Sequence, residues 1–167
     1  MAKPRINAGF RRETEARLRR IARVAEVFVD GDAFKAFPRN PEQNAGDEYS
    51  VHDDKFITVK QQLFKLKRVE VGDIGVVTWR RFGDGEADQC LPVDNHPLKA
   101  TKGNHPISKA MAEAFAGGTA VQELEWRGCP LLSVCAPIRD SLDDVVGVVE
   151  IFASLIPEQL KVDALDY

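Results

Sequence analysis

The chain has 167 residues, of which 44% are apolar and 29% charged, with a formal net charge of −3. That length and balance suit one globular domain with a core of its own and exclude disordered and collagen-like classes. No stretch approaches the roughly 18–20 apolar residues of a membrane span, no apolar signal core follows the start, and the overall charge gives no reason to expect nucleic acid.

The first 23 residues are basic, with Lys3, Arg5, Arg11, Arg12, Arg17, Arg19, Arg20 and Arg23 against Glu13 and Glu15. Such a run is ordinarily a solvated helix face, and it can also touch a membrane surface or an anionic partner. Phe10, Leu18, Ile21, Ala22, Ala25, Val27, Phe28 and Val29 recur at helical spacing and predict one long helix over 8–29. Asp30-Gly31-Asp32 then turns the chain, and Asp32 is the expected N-cap of a short helical turn through Phe34 and Phe37, ended by Pro38.

Residues 38–49 read as a loop. Helical spacing returns over 49–68 with Val51, Phe56, Val59, Leu63 and Leu66. Asp53 and Asp54 near its start and Lys65, Lys67 and Arg68 near its end suit the helix dipole.

After Gly72 the pattern becomes β-rich. A strand is expected over Ile74–Arg81, a turn at Gly83-Asp84-Gly85, and a short strand over Cys90–Val93. A polar loop follows over 94–106, with Pro106 placed to open a helix over 106–116 that Gly117-Gly118 stops. Strands over 119–127, 131–138 and 145–154 complete the chain. Adjacent short strands with tight turns predict a five-stranded antiparallel sheet with helices packed on it, an α+β architecture. The three cysteines, Cys90, Cys129 and Cys135, are an odd number and give no disulfide framework. Cys129 and Cys135 on one strand would stand about 20 Å apart.

The closing stretch carries Ala136-Pro137-Ile138-Arg139-Asp140-Ser141 and then Val145-Val146-Gly147-Val148-Val149. It resembles the last hairpin of Cache domains, the PAS-like extracytoplasmic sensors of bacterial membrane receptors. Upstream, Val29-Asp30-Gly31-Asp32, Glu48-Tyr49, Ile74-Gly75-Val76-Val77 and Leu91-Pro92-Val93-Asp94 follow in the order such sensors show. The resemblance covers about residues 20–154. It implies a signalling and dimerisation helix over 1–29, a PAS-like sensor domain over 30–156, and a tail over 157–167 leading to an output domain or membrane span. It also implies a small ligand bound between the sheet and its covering loops, a homodimer through the first helix, and an extracytoplasmic place in a kinase, cyclase or chemoreceptor. A ligand-free dimerisation scaffold and a cytoplasmic GAF- or PAS-like regulatory domain are the alternative readings.

Candidate ligand contacts follow from strand phase and from that resemblance. Trp79 and Arg81 share one strand face, where an arginine beside a tryptophan could fork onto a carboxylate or phosphate. The loop expected over the pocket supplies Asp94, His96, Lys99 and His105. Ser133 and Cys135 lie in phase with each other on the strand over 131–138 and make that face less oily. No Walker, Rossmann, HExxH or GxSxG motif occurs, and His96 and His105 are too widely spaced for a metal pair. The expectation is therefore a binding module with no catalytic residues, no metal and no cofactor.

Overall fold

A computed structural model of the chain describes residues 6–36, 54–70, 72–81, 83, 85–93, 104–126 and 128–156. The first helix, α1 (Ala8–Phe28), begins where the Asn7 side chain accepts hydrogen bonds from the Gly9 and Phe10 backbone N–H groups. Its buried residues Thr14, Leu18, Ile21, Ala22 and Ala25 recur at three- and four-residue intervals, so one stripe packs inward. A five-residue helix, α2 (Gly31–Lys35), and α3 (Asp54–Leu66) follow. The strands are β1 (Gly75–Arg81), β2 (Glu86–Val93), β3 (Asn104–Pro106), β4 (Ala120–Trp126), β5 (Cys129–Arg139) and β6 (Val145–Ser154). The last helix, α4 (Lys109–Phe115), lies between β3 and β4.

All strand pairings are antiparallel, and the spatial order is β3-β2-β1-β6-β5-β4. The long strands β5 and β6 sit centrally and read as near-continuous apolar runs because both their faces are covered. On one face, Val76, Leu132, Val134, Ala136, Ile138, Val149, Ile151 and Ala153 meet the inward stripe of α1, with Phe34 of α2 and Val59, Leu63 and Leu66 of α3 extending the same core. On the other, Ala110, Met111 and Ala114 of α4 pack with Val77, Trp79, Cys135 and Val148. This is the expected α+β architecture, an antiparallel sheet with a long N-terminal helix packed along it.

Several local expectations change. The sheet gains a sixth strand, because Asn104–Pro106 pairs along β2 at the sheet's edge. Pro106 thus ends a strand instead of opening a helix, an edge position where a missing N–H is tolerated. The α4 cap is Ser108, whose hydroxyl accepts from Met111 N at 3.2 Å. Strand β2 begins at Glu86, four residues earlier than expected, because Ala87 to Gln89 continue the pairing with Trp79 to Arg81.

The N-cap of α2 is Asp30, accepting from Ala33 N at 2.9 Å, and not Asp32. Asp32 lies inside the first turn, and its carboxylate accepts instead from the Ser141 backbone N–H and hydroxyl. Cys129 and Cys135 are both free and buried. The expected helical residues 49–53, the loop over 38–49, Phe37, and the tail over 157–167 lie outside the described residues.

Two glycines are required by close approach. At Gly31 a Cβ would fall on the Arg139 carbonyl, and at Gly147 it would fall on the Phe34 ring. Both contacts bring α2 down onto the β5–β6 hairpin. Within that hairpin, Asp140 accepts from Leu142 N and Asp144 N at 3.0 Å each, and Asp143 takes the left-handed backbone at φ 66°. Lys35 Nζ, 2.9 Å from Asp140 Oδ2, holds that carboxyl below the ordinary aspartate range.

Candidate functional site

Strand alternation decides which side chains share the α4 side of the sheet. In β6 these are Val148, Glu150 and Phe152, and in β5 Leu131, Ser133 and Cys135. Register places Cys135 opposite Glu150 and Gln122 opposite Ser133. Trp79 of β1 stands one step along from Val77, the residue opposite Glu150. A polar row therefore crosses four adjacent strands in the middle of an apolar face.

Glu150 is the centre of that row. It is 1% exposed, and its Oε2 accepts from the Trp79 indole N–H at 2.8 Å. Its Oε1 accepts from Gln122 Nε2 at 3.2 Å, and the same amide lies 3.8 Å from Cys135 Sγ. Among the described residues no cation pairs with this carboxylate. Burial raises its pKa, opposed by the neighbouring Ser133 hydroxyl, the indole and the amide. Burial, reinforced by the Glu150 charge, also pushes the Cys135 thiol well above its ordinary value, which disfavours the thiolate.

Ser133 completes the cluster. It is fully buried, and its Oγ finds no hydrogen-bond partner of good geometry among the described residues. Buried polar groups are normally satisfied, and each orphan costs about 1–3 kcal/mol. A buried carboxylate without a counter-charge among the described residues and a poorly satisfied buried hydroxyl thus lie side by side on this face.

Around the row the walls are aromatic and small. His105 of β3 meets the Trp79 ring edge-on, with centroids 5.3 Å apart and planes at 80°. Leu131, Phe152, Leu124 and Trp126 cluster at one end of the face, and Met111 and Ala114 of α4 lie near Trp79 and Cys135.

Of the sequence-derived candidates, Trp79, His105, Ser133 and Cys135 share this side of the sheet. Arg81 does not enter the polar row. It is exposed, with its guanidinium carbon 5.2 Å from the Phe115 ring centroid, a rim position beside α4. Asp94, His96 and Lys99 lie outside the described residues.

Sequence reasoning missed Glu150 and Gln122. The available signal for Glu150 was a single carboxylate inside Val145–Ser154, in phase with Val148 and Phe152 on a strand with no other charge. Gln122 carried no comparable signal, since Glu123 and Glu125 beside it make its strand look solvated.

No family model matches the chain, and no curated protein matches it. Among solved structures, it is similar to the ligand-binding domain of the Campylobacter jejuni chemoreceptor Tlp3, crystallised in complex with L-valine, at 9% identity and a TM-score of 0.38. The match covers 87% of this chain and 57% of that one, so the chain spans less than two thirds of its length.

Proposed function

We propose that the chain is the ligand-sensing input domain of a bacterial signal-transduction receptor, and that the α4 side of its sheet binds a small molecule. The observation that carries this reading is a buried carboxylate, Glu150, with no counter-charge among the described residues, beside the buried Ser133 hydroxyl, which makes no hydrogen bond of good geometry. A ligand offering N–H or O–H groups would satisfy both, with Trp79 and Gln122 holding the carboxylate in place. His105 and the aromatic end of the face would contact its apolar part. The reading assigns the chain no reaction, and it places the domain outside the cytoplasm, between or beside membrane spans carried elsewhere in the receptor.

A thermal-shift screen against amino acids, amines, carboxylates and nucleotides tests it. A ligand at 100 times its Kd adds about 2.7 kcal/mol, a rise of roughly 5–10 °C for a domain of this size. The expected result is a saturable rise with one chemical class, lost in Glu150→Gln and in Ser133→Ala. Flat curves across all four classes would remove the sensing reading and favour a ligand-free scaffold.

A further inference from the structure

Helix α1 buries Leu18, Ile21, Ala22 and Ala25 against the sheet, which fixes the arc it turns outward. At about 100° per residue, the opposite side carries Arg12, Ala16, Arg19, Arg20, Arg23 and Val27, with Glu13 its one acid. Arg12 and Arg23 are exposed and have no carboxylate partner among the described residues, whereas Arg19 pairs with Glu15 and Arg20 with Glu70. Arg12 and Arg23 stand about 16 Å apart along the axis at ~1.5 Å per residue. Exposed apolar side chains accompany them: Val27 is 89% exposed and Val24 39%, with Ile6 at the other end.

We infer that this outward face of α1 is a docking surface for an anionic lipid bilayer. Its straight row of cations matches a plane of phosphate headgroups, and Val24 and Val27 give it an apolar end that a headgroup boundary accepts. Nucleic acid and acidic proteins answer the arginines but leave Val27 without a use. A second copy of the chain is the less favoured occupant, because a homodimer through this face would set four arginines against four arginines. The inference stands apart from the ligand reading, since the polar row lies on the opposite face of the sheet.

Vesicle co-sedimentation of the whole chain tests it. The probes are vesicles of phosphatidylcholine alone and of phosphatidylcholine with one quarter phosphatidylglycerol. We expect pelleting only with the anionic vesicles, weakened as salt rises from about 50 to 300 mM. Each basic side chain at an anionic surface contributes about fivefold in partitioning, so Arg12→Ala/Arg23→Ala should cut it about 25-fold. Alanine keeps the helix, and a urea midpoint at or above that of the wild type shows that the fold survives. Lys60→Ala/Lys109→Ala, exposed cations away from this face, should change partitioning little. Failure to pellet with either vesicle overturns the inference, and so does equal binding by Arg12→Ala/Arg23→Ala. A dimer in sedimentation velocity that Val27→Glu dissociates would also overturn it, because the occupant is then a second copy.

Discussion

Replacing Glu150 with Gln should remove a loss of stability that the native protein shows as pH rises above the ordinary glutamate range. The substitution keeps the shape and removes the titration. One of the two donors that face the carboxylate, Trp79 Nε1 or Gln122 Nε2, would then meet an amide N–H instead of an acceptor. Leaving one buried donor unpaired costs about 1–3 kcal/mol, so at acidic pH, where the native carboxyl is neutral, the variant is the less stable protein.

Glu150 has a native pKa above its unfolded one, so the folded state holds its proton longer than the unfolded state does. Stability from this group is fully present below the ordinary glutamate value and is lost as pH rises through the raised native value. The loss reaches at most about 1.4 kcal/mol per pH unit within that window, so the gap between the two proteins narrows as pH rises. Urea unfolding followed by tryptophan fluorescence at about half-unit pH intervals gives both curves. Parallel curves for the two proteins, with a constant gap, would refute the argument, because Glu150 would then titrate alike in both states.

Three further outcomes are expected. Ser133→Ala removes a buried hydroxyl that makes no hydrogen bond of good geometry and should change the urea-derived stability by less than about 1 kcal/mol, while a larger loss would mean the hydroxyl is well satisfied. Gly147→Ala drives a methyl group into the Phe34 ring and toward the Trp79 carbonyl, so a loss of about 2–4 kcal/mol is expected in the same assay, and a loss under about 0.5 would show that α2 gives way freely. Asp140 is held below its ordinary range by Lys35, so its contribution is present above the unfolded value and is lost as pH falls through the native one. The wild type should therefore lose stability below about pH 4 more steeply than Asp140→Asn.

The elements that sequence periodicity placed best were those in which burial is one-sided. The stripe of α1 is a simple record of which face meets the core, whereas β1 is buried on both faces and was legible from its β-branched and aromatic composition. Strand β3 was illegible because three residues with a proline carry no period, and only pairing along β2 makes them a strand. Asp30 and Asp32 are equivalent as cap residues in the sequence. What separates them is Ser141, 109 positions further on, which takes the Asp32 carboxylate. The candidate site divides in the same way. Trp79, Ser133 and Cys135 were readable from strand phase, but the group that organises them lies on β6. The importance of Glu150 depends on the register that sets it across from Cys135 and within reach of Gln122.

How occupation of the polar row could reach α1 follows from the points where that helix is tied to the sheet. Arg11 pairs with Glu123 of β4 at 2.6 Å, and Thr119, just before β4, donates to Glu26 at 2.7 Å. At the other end, α2 is latched to the β5–β6 turn by Asp32 with Ser141, by Lys35 with Asp140, and by the bare approach of Gly31 to Arg139. Gln122 and Glu150, already joined by a hydrogen bond at 3.2 Å in the polar row, belong to these same strands. A ligand can move α1 only by the difference in its affinity for two arrangements, for which 1–3 kcal/mol is a common size. Such a bias is transmitted only if the latch at the turn holds. Asp32→Ala should therefore raise hydrogen exchange together in the last turn of α1 and at residues 140–144, because one contact secures both. Faster exchange at the turn alone, with the end of α1 unchanged, would mean that α1 is held independently of the hairpin and that the polar row must act on it through β4.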